Sequence, residues 1–184
     1  MDNIINRAKE LLSTATVDVV VGYGKGTVEN RTRALFITKP DDASKLIYND
    51  FCKQNLAVYL TKNELLHHYK KIGVVANKYT LRAIIQIASE EQIKDDSLVV
   101  LALDDKASMT ELKGFEAMEQ FVAGLDHEIG QSEKEMIAKI DGMTTEERWD
   151  FWEQELSKCF KCYACRQACP MCYCNRQQYR SIGC

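Results

Sequence analysis

The chain has 184 residues, 46% apolar and 28% charged, with a formal net charge of −3; such a composition buries a core, excludes a wholly disordered chain, and fits one domain with at most a small appendix. The acidic balance lacks the basic footprint of a nucleic-acid binder. No apolar run is long enough to span a bilayer. The opening MDNIINRAKELL lacks the apolar stretch of a signal peptide, so a cytoplasmic, reducing setting without membrane insertion is expected.

Ile4, Ile5, Ala8, Leu11 and Leu12 recur at helical spacing and predict a first helix over 4–12. Val17 to Val21 predicts a strand that ends at Gly22-Tyr-Gly-Lys-Gly26, read as a glycine turn between strands. Ala34 to Thr38 predicts a second strand, stopped by Pro40. A short helix capped by Asp41 or Asp42 and running to Tyr48 follows, and 55–66 leans towards helix. Ile72-Gly-Val-Val-Ala76 is apolar throughout, as strands buried on both faces of a parallel sheet are. With a helix over 79–91, started at Asn77, and a strand over 98–103, it makes a βαβ unit. Residues 109–125 and 131–140 have helical patterns, with Met118, Phe121, Met136 and Ile137 expected inside. Thr144 and Glu147 have capping-box spacing. The helix they start carries Trp149, Trp152 and Leu156 on one stripe, expected to be core packing, and leads straight into Cys159.

The fold class is thus α/β: a small sheet with at least one βαβ unit, then helices, then a cysteine-rich ferredoxin-like tail. The expected organisation is an α/β body over 1–106, a helical connector over 107–157 and a cluster-binding tail over 158–184.

Seven of the eight cysteines lie in the last 26 residues, and only Cys52 stands elsewhere. In a reducing compartment a dense thiol cluster points to metal rather than to disulfides. Residues 159–170 read Cys-Phe-Lys-Cys-Tyr-Ala-Cys-Arg-Gln-Ala-Cys-Pro, the C-x2-C-x2-C-x3-C-P run of bacterial ferredoxins. Two residues between thiolates let a loop meet successive corners of a compact [4Fe–4S] cubane, whereas zinc usually takes two separated knuckles. Candidate metal ligands are Cys159, Cys162, Cys165, Cys169, Cys172 and Cys174. Cys159, Cys162 and Cys165 are expected to share one cluster. The fourth ligand stays open among Cys169, the local choice, and Cys52, Cys172, Cys174 or Cys184. Eight cysteines also match two clusters, the second on Cys169, Cys172, Cys174 and either Cys184 or Cys52. Cys52 alone reads as a buried small hydrophobe. Beyond Cys159 the chain has Lys161, Arg166, Arg176 and Arg180 and no acid, a balance suited to a net-negative cluster.

From Glu147-Arg-Trp-Asp-Phe-Trp to Cys169-Pro-Met-Cys-Tyr-Cys174 the sequence resembles the beta-subunit-like proteins of coenzyme F-420 hydrogenases and dehydrogenases and their bacterial iron–sulfur relatives. Val19-Val-Val-Gly-Tyr-Gly-Lys-Gly26 and Phe51-Cys-Lys-Gln-Asn-Leu-Ala57 agree more loosely. The resemblance implies an electron-carrying subunit. It would pass electrons between a redox enzyme, such as a hydrogenase, a formate dehydrogenase or a heterodisulfide reductase-like assembly, and a flavin or another carrier. Redox subunits of a hetero-oligomeric complex are the implied partners. Relatives tend to have Gly-Cys-Asp after the third strand, where this chain has Ala76-Asn-Lys-Tyr-Thr80. A flavin site in the βαβ half and a structural metal site are the alternatives. No Ser-His-Asp set, acid–base carboxylate pair or Cys-His pair is visible, so a role without substrate turnover is expected. His67 and His68 beside Lys70 and Lys71 read as a solvated face.

Overall fold

The computed structural model describes residues 1–62, 65, 68–125 and 129–173. These form two units, one of residues 1–125 with 165–173 and one of residues 129–164.

The first unit is a body built on a five-stranded mixed sheet in the order β2-β1-β3-β4-β5. Helix α1 (Asp2–Ser13) buries Ile4, Ala8 and Leu11 on one face. Strand β1 (Val19–Lys25) forms an antiparallel hairpin with β2 (Thr32–Ile37). Strands β1, β3 (Ile72–Ala76) and β4 (Leu98–Leu103) run parallel. All residues of β3 and β4 are buried, which their unbroken apolar sequences anticipate. Between them α2 (Lys78–Ser89) starts where the Asn77 side chain accepts the Thr80 N–H, 3.0 Å away, a cap that satisfies one orphan amide of the first turn. Leu81, Ile84 and Ile87 of α2 close the core over the sheet.

Four sequence expectations change. Gly22 and Gly24 lie inside β1, and the reversal comes later, where Gly26 N–H bonds the Arg31 carbonyl. A Cβ at Gly22 would lie 2.3 Å from Leu46 Cδ2, so the glycine serves close packing rather than a turn. The segment after β2 is a 3-10 turn over Pro40–Lys45 without a side-chain cap, its first position taken by proline; of 55–66, Leu56–Tyr59 is a 3-10 turn and Leu65 is helical, while residues 63, 64 and 66 lie outside the described residues. Residues 109–112 are not helical. They form β5 (Met109–Leu112), antiparallel to β4, because the free edge of β4 takes their backbone and Arg7 of α1 bonds the Glu111 carboxylate. Helix α3 (Phe115–Ala123) then buries Met118 against the same core, past residue 106.

The second unit holds α4 (Gln131–Asp141) and α5 (Thr145–Ser157). Both bonds of the Thr144–Glu147 capping box form. No residue of 129–164 is buried, and Lys139 lies over the Phe151 ring. Met136, Ile137, Trp149 and Trp152, expected inside, are exposed, because this helix pair encloses no interior of its own. Among the described residues no helix is long and apolar enough to cross a membrane.

Candidate metal centre and cleft

The cysteine run begins where α5 ends. Lys158 closes the helix, and Cys159 N–H bonds the Leu156 carbonyl at 3.0 Å. Lys161 and Tyr163 both have φ of +59°, the left-handed region. Two non-glycine residues in that region within three positions are uncommon. Such kinks aim successive backbone N–H groups towards one side, the arrangement that holds anions and iron–sulfur centres. Cys162 sits between them. Cys159 and Cys162, both exposed, belong to the helical unit.

Cys165, also exposed, lies in the short helix α6 (Ala164–Ala168) and counts with the body. Cys169 N–H bonds the Cys165 carbonyl at 3.0 Å, and Cys172 N–H bonds the Cys169 carbonyl at 3.2 Å. The turns bring the Cys169 and Cys172 thiols into contact. Partial burial and this neighbour raise the Cys172 thiol above its ordinary range, and Arg166 pulls it the other way. The segment is anchored beyond the cysteines. Met171 and Tyr173 pack against the body core, and the Tyr173 hydroxyl donates to the Glu90 carboxylate just past α2. That carboxylate is held below its usual range by Gln86 first and by Tyr173 second. Cys174 and Cys184 lie outside the described residues, as do His67, Arg176 and Arg180. Among the described residues, no three His, Cys, Asp or Glu side chains are gathered into a metal-ion site.

Cys52 is buried and stands apart. Its thiol accepts the Asn49 N–H at 3.4 Å, and burial raises it above the usual thiol range. It lines a cleft of about 310 Å³ with Asn77 and Lys78, where α2 begins, whereas Tyr173 meets the chain where α2 has ended. Twelve helical residues separate those ends, a rise of roughly 18 Å.

The cleft lies at the carboxyl ends of β3 and β4, where open α/β sheets place their ligands. Tyr48, Asp104 and Asp105 line it as well, and Lys78 pairs with Asp105 at 3.0 Å. Burial raises the Tyr48 phenol above its usual range. Sequence reasoning missed these residues; the signal was their place directly after β4 or in the loop facing the parallel strand ends.

The donor chemistry fits an iron–sulfur group. Exposed thiols follow one another at ferredoxin spacing, left-handed turns flank the second, and Lys161 and Arg166 supply positive charge.

No family model matches the chain. Over 107 residues it is 29% identical to the F420-dependent formate dehydrogenase 1 subunit beta of Methanococcus maripaludis, covering 56% of this chain and 25% of that subunit. A chain of the xenon-derivatised F420-reducing [NiFe] hydrogenase complex from Methanosarcina barkeri matches with a TM-score of 0.46 at 10% identity, covering 64% of this chain and 55% of that one. The protein thus spans a quarter of the curated relative it matches.

Proposed function

From the resemblance of this chain to the beta subunits of coenzyme F-420 hydrogenases and dehydrogenases, we propose that it is an electron-transfer subunit that holds a [4Fe–4S] cluster inside a larger redox complex. The observation that carries this reading is the run from Cys159 to Pro170, with left-handed backbone on either side of Cys162. Cys159, Cys162 and Cys165 would hold the cluster, with Cys169 as the local fourth ligand. A second cluster would take Cys169, Cys172, Cys174 and either Cys184 or Cys52, which leaves the fourth ligand of the first cluster to another thiol. Such a group supplies one-electron transfer, its potential set by charge, amide hydrogen bonds and burial. The chain's own residues provide the surroundings. Lys161 and Arg166 would offset negative charge, and the Tyr173–Glu90 bond fixes the far end of the segment. The partners would be redox proteins of the hydrogenase, formate dehydrogenase or heterodisulfide reductase-like kind.

Anaerobic purification with iron and sulfide analysis tests the reading. About four iron atoms per chain are expected for one cluster and about eight for two. Cys162→Ser should lose the iron while the thermal midpoint of the body stays put. Full iron retention in that variant, or a colourless chain holding zinc, overturns the assignment. A second reading, a flavin in the cleft, is favoured by the position of that cleft at the carboxyl ends of parallel strands. Flavin extracted in stoichiometric amount would support it.

A further inference from the structure

We propose that Glu90 and Tyr173 are positioning residues, whose hydrogen bond seats the turns carrying Cys165, Cys169 and Cys172 on the body before any metal is bound. What those thiols then hold rests on the function proposed above; the seating itself does not. Glu90 is a fixed acceptor. It closes α2, whose Leu81, Ile84 and Ile87 are fully buried. Just beyond it Glu91 takes a left-handed φ of +57°. The Glu91 N–H bonds the Ala88 carbonyl at 2.9 Å and the Gln92 N–H bonds the Ile87 carbonyl at 3.0 Å, the pair of bonds that stops a helix at one defined residue. Two side chains hold Glu90 further. Gln92 Nε2 donates to its carbonyl and Gln86 Nε2 to its Oε1, both at 2.8 Å. The second carboxylate oxygen, Oε2, accepts the hydroxyl of Tyr173, 83 residues further along the chain. A bond to an ionised carboxylate is the stronger kind of hydrogen bond.

The segment that ends at Tyr173 is short and turned on itself. The Cys169 N–H returns to the Cys165 carbonyl, and the Cys172 N–H returns to the Cys169 carbonyl. Met171 and Tyr173 both pack against the body core, and Cys172 between them meets the Cys169 thiol. Neither that packing nor the Glu90 bond needs a metal. Fixing Tyr173 therefore limits where all three thiols can go. Ligands held in place beforehand lose less conformational freedom on binding, so they bind tighter and release more slowly.

The seating is tested on the full chain, freed of metal under reductant, by amide hydrogen exchange over residues 165–173. Protection is expected in the parent. Tyr173→Phe, which keeps the ring, and Glu90→Ala should each speed exchange there by about threefold or more. The double variant should exchange no faster than either single one, because both remove the same bond. Glu90→Gln, which keeps a carbonyl acceptor for the hydroxyl, should stay closer to the parent. In chain prepared without oxygen and holding iron, the variants should lose that iron to a chelator in the same order, with the thermal midpoint of the body unchanged. An unprotected parent overturns the proposal, as does protection that survives Tyr173→Phe and Glu90→Ala, or effects that add in the double variant. Unchanged iron release from variants that have lost the protection also overturns it. A parent that shows the expected exchange pattern yet holds no iron supports the seating and overturns the cluster reading alone.

Discussion

In α2 of the body Leu81, Ile84 and Ile87 have no exposed surface, whereas in α5 Trp149, Trp152 and Leu156, also spaced as one helical face, stand in solvent. Both helices are capped at the start by a side-chain oxygen, Asn77 in one and Thr144 in the other. What differs is the neighbour. Helix α2 lies on a sheet whose parallel strands are apolar on both faces, and α5 belongs to a unit in which no described residue is buried. Periodicity therefore marks the face a helix would bury, while the surrounding chain decides whether it is buried. The larger side chains are in the more exposed environment.

The sharpest way to break this contrast is to truncate one residue of each face. Ile84→Ala removes a side chain enclosed on all sides, and a loss of about 2–5 kcal/mol is expected from burial lost and cavity gained. Leu156→Ala should stay within about 0.5 kcal/mol of the parent. Chemical denaturation followed by far-ultraviolet circular dichroism measures both. Equal losses would mean that α5 is held by the body and that the two units fold as one.

The cysteines offer the same contrast in reactivity. Cys52 is buried and its thiol is raised by that burial, so little thiolate is present and little of it is reachable. Cys159 and Cys162 are exposed. In chain freed of metal under reductant, iodoacetamide should modify Cys52 at least about tenfold more slowly than either of them, as read by peptide mass spectrometry. Comparable rates would place Cys52 at the surface.

Much of the body was legible in the sequence because its signals are local. Ile72–Ala76 and Leu98–Leu103 are apolar without interruption, and the helix between them has a cap and a clean period. The capping box of α5 was legible for the same reason. Strand β5 was not, since Met109-Thr-Glu-Leu112 becomes a strand only through the free edge of β4 and the Arg7–Glu111 pair, both distant in sequence. Gly22 looked like a turn because nothing nearby announces Leu46. The cysteine spacing could be read at once, but the place of Cys52 beside Asn77 and Lys78 in the cleft could not, because that contact joins segments distant in sequence.

The smallest effect expected is also the most local. Thr144→Ala removes the acceptor for the Glu147 N–H and leaves only the reciprocal bond from the residue-144 N–H to the Glu147 carboxylate. Losing such a cap costs about 1 kcal/mol. In a helix packed into a core that cost would appear in global stability. In α5 it should appear only locally, as faster amide hydrogen exchange over residues 145–150 with the unfolding midpoint of the body unchanged, because no described residue of the helical unit is buried. Slowed or unchanged exchange in those residues would show that α5 draws its stability from contacts other than its own cap.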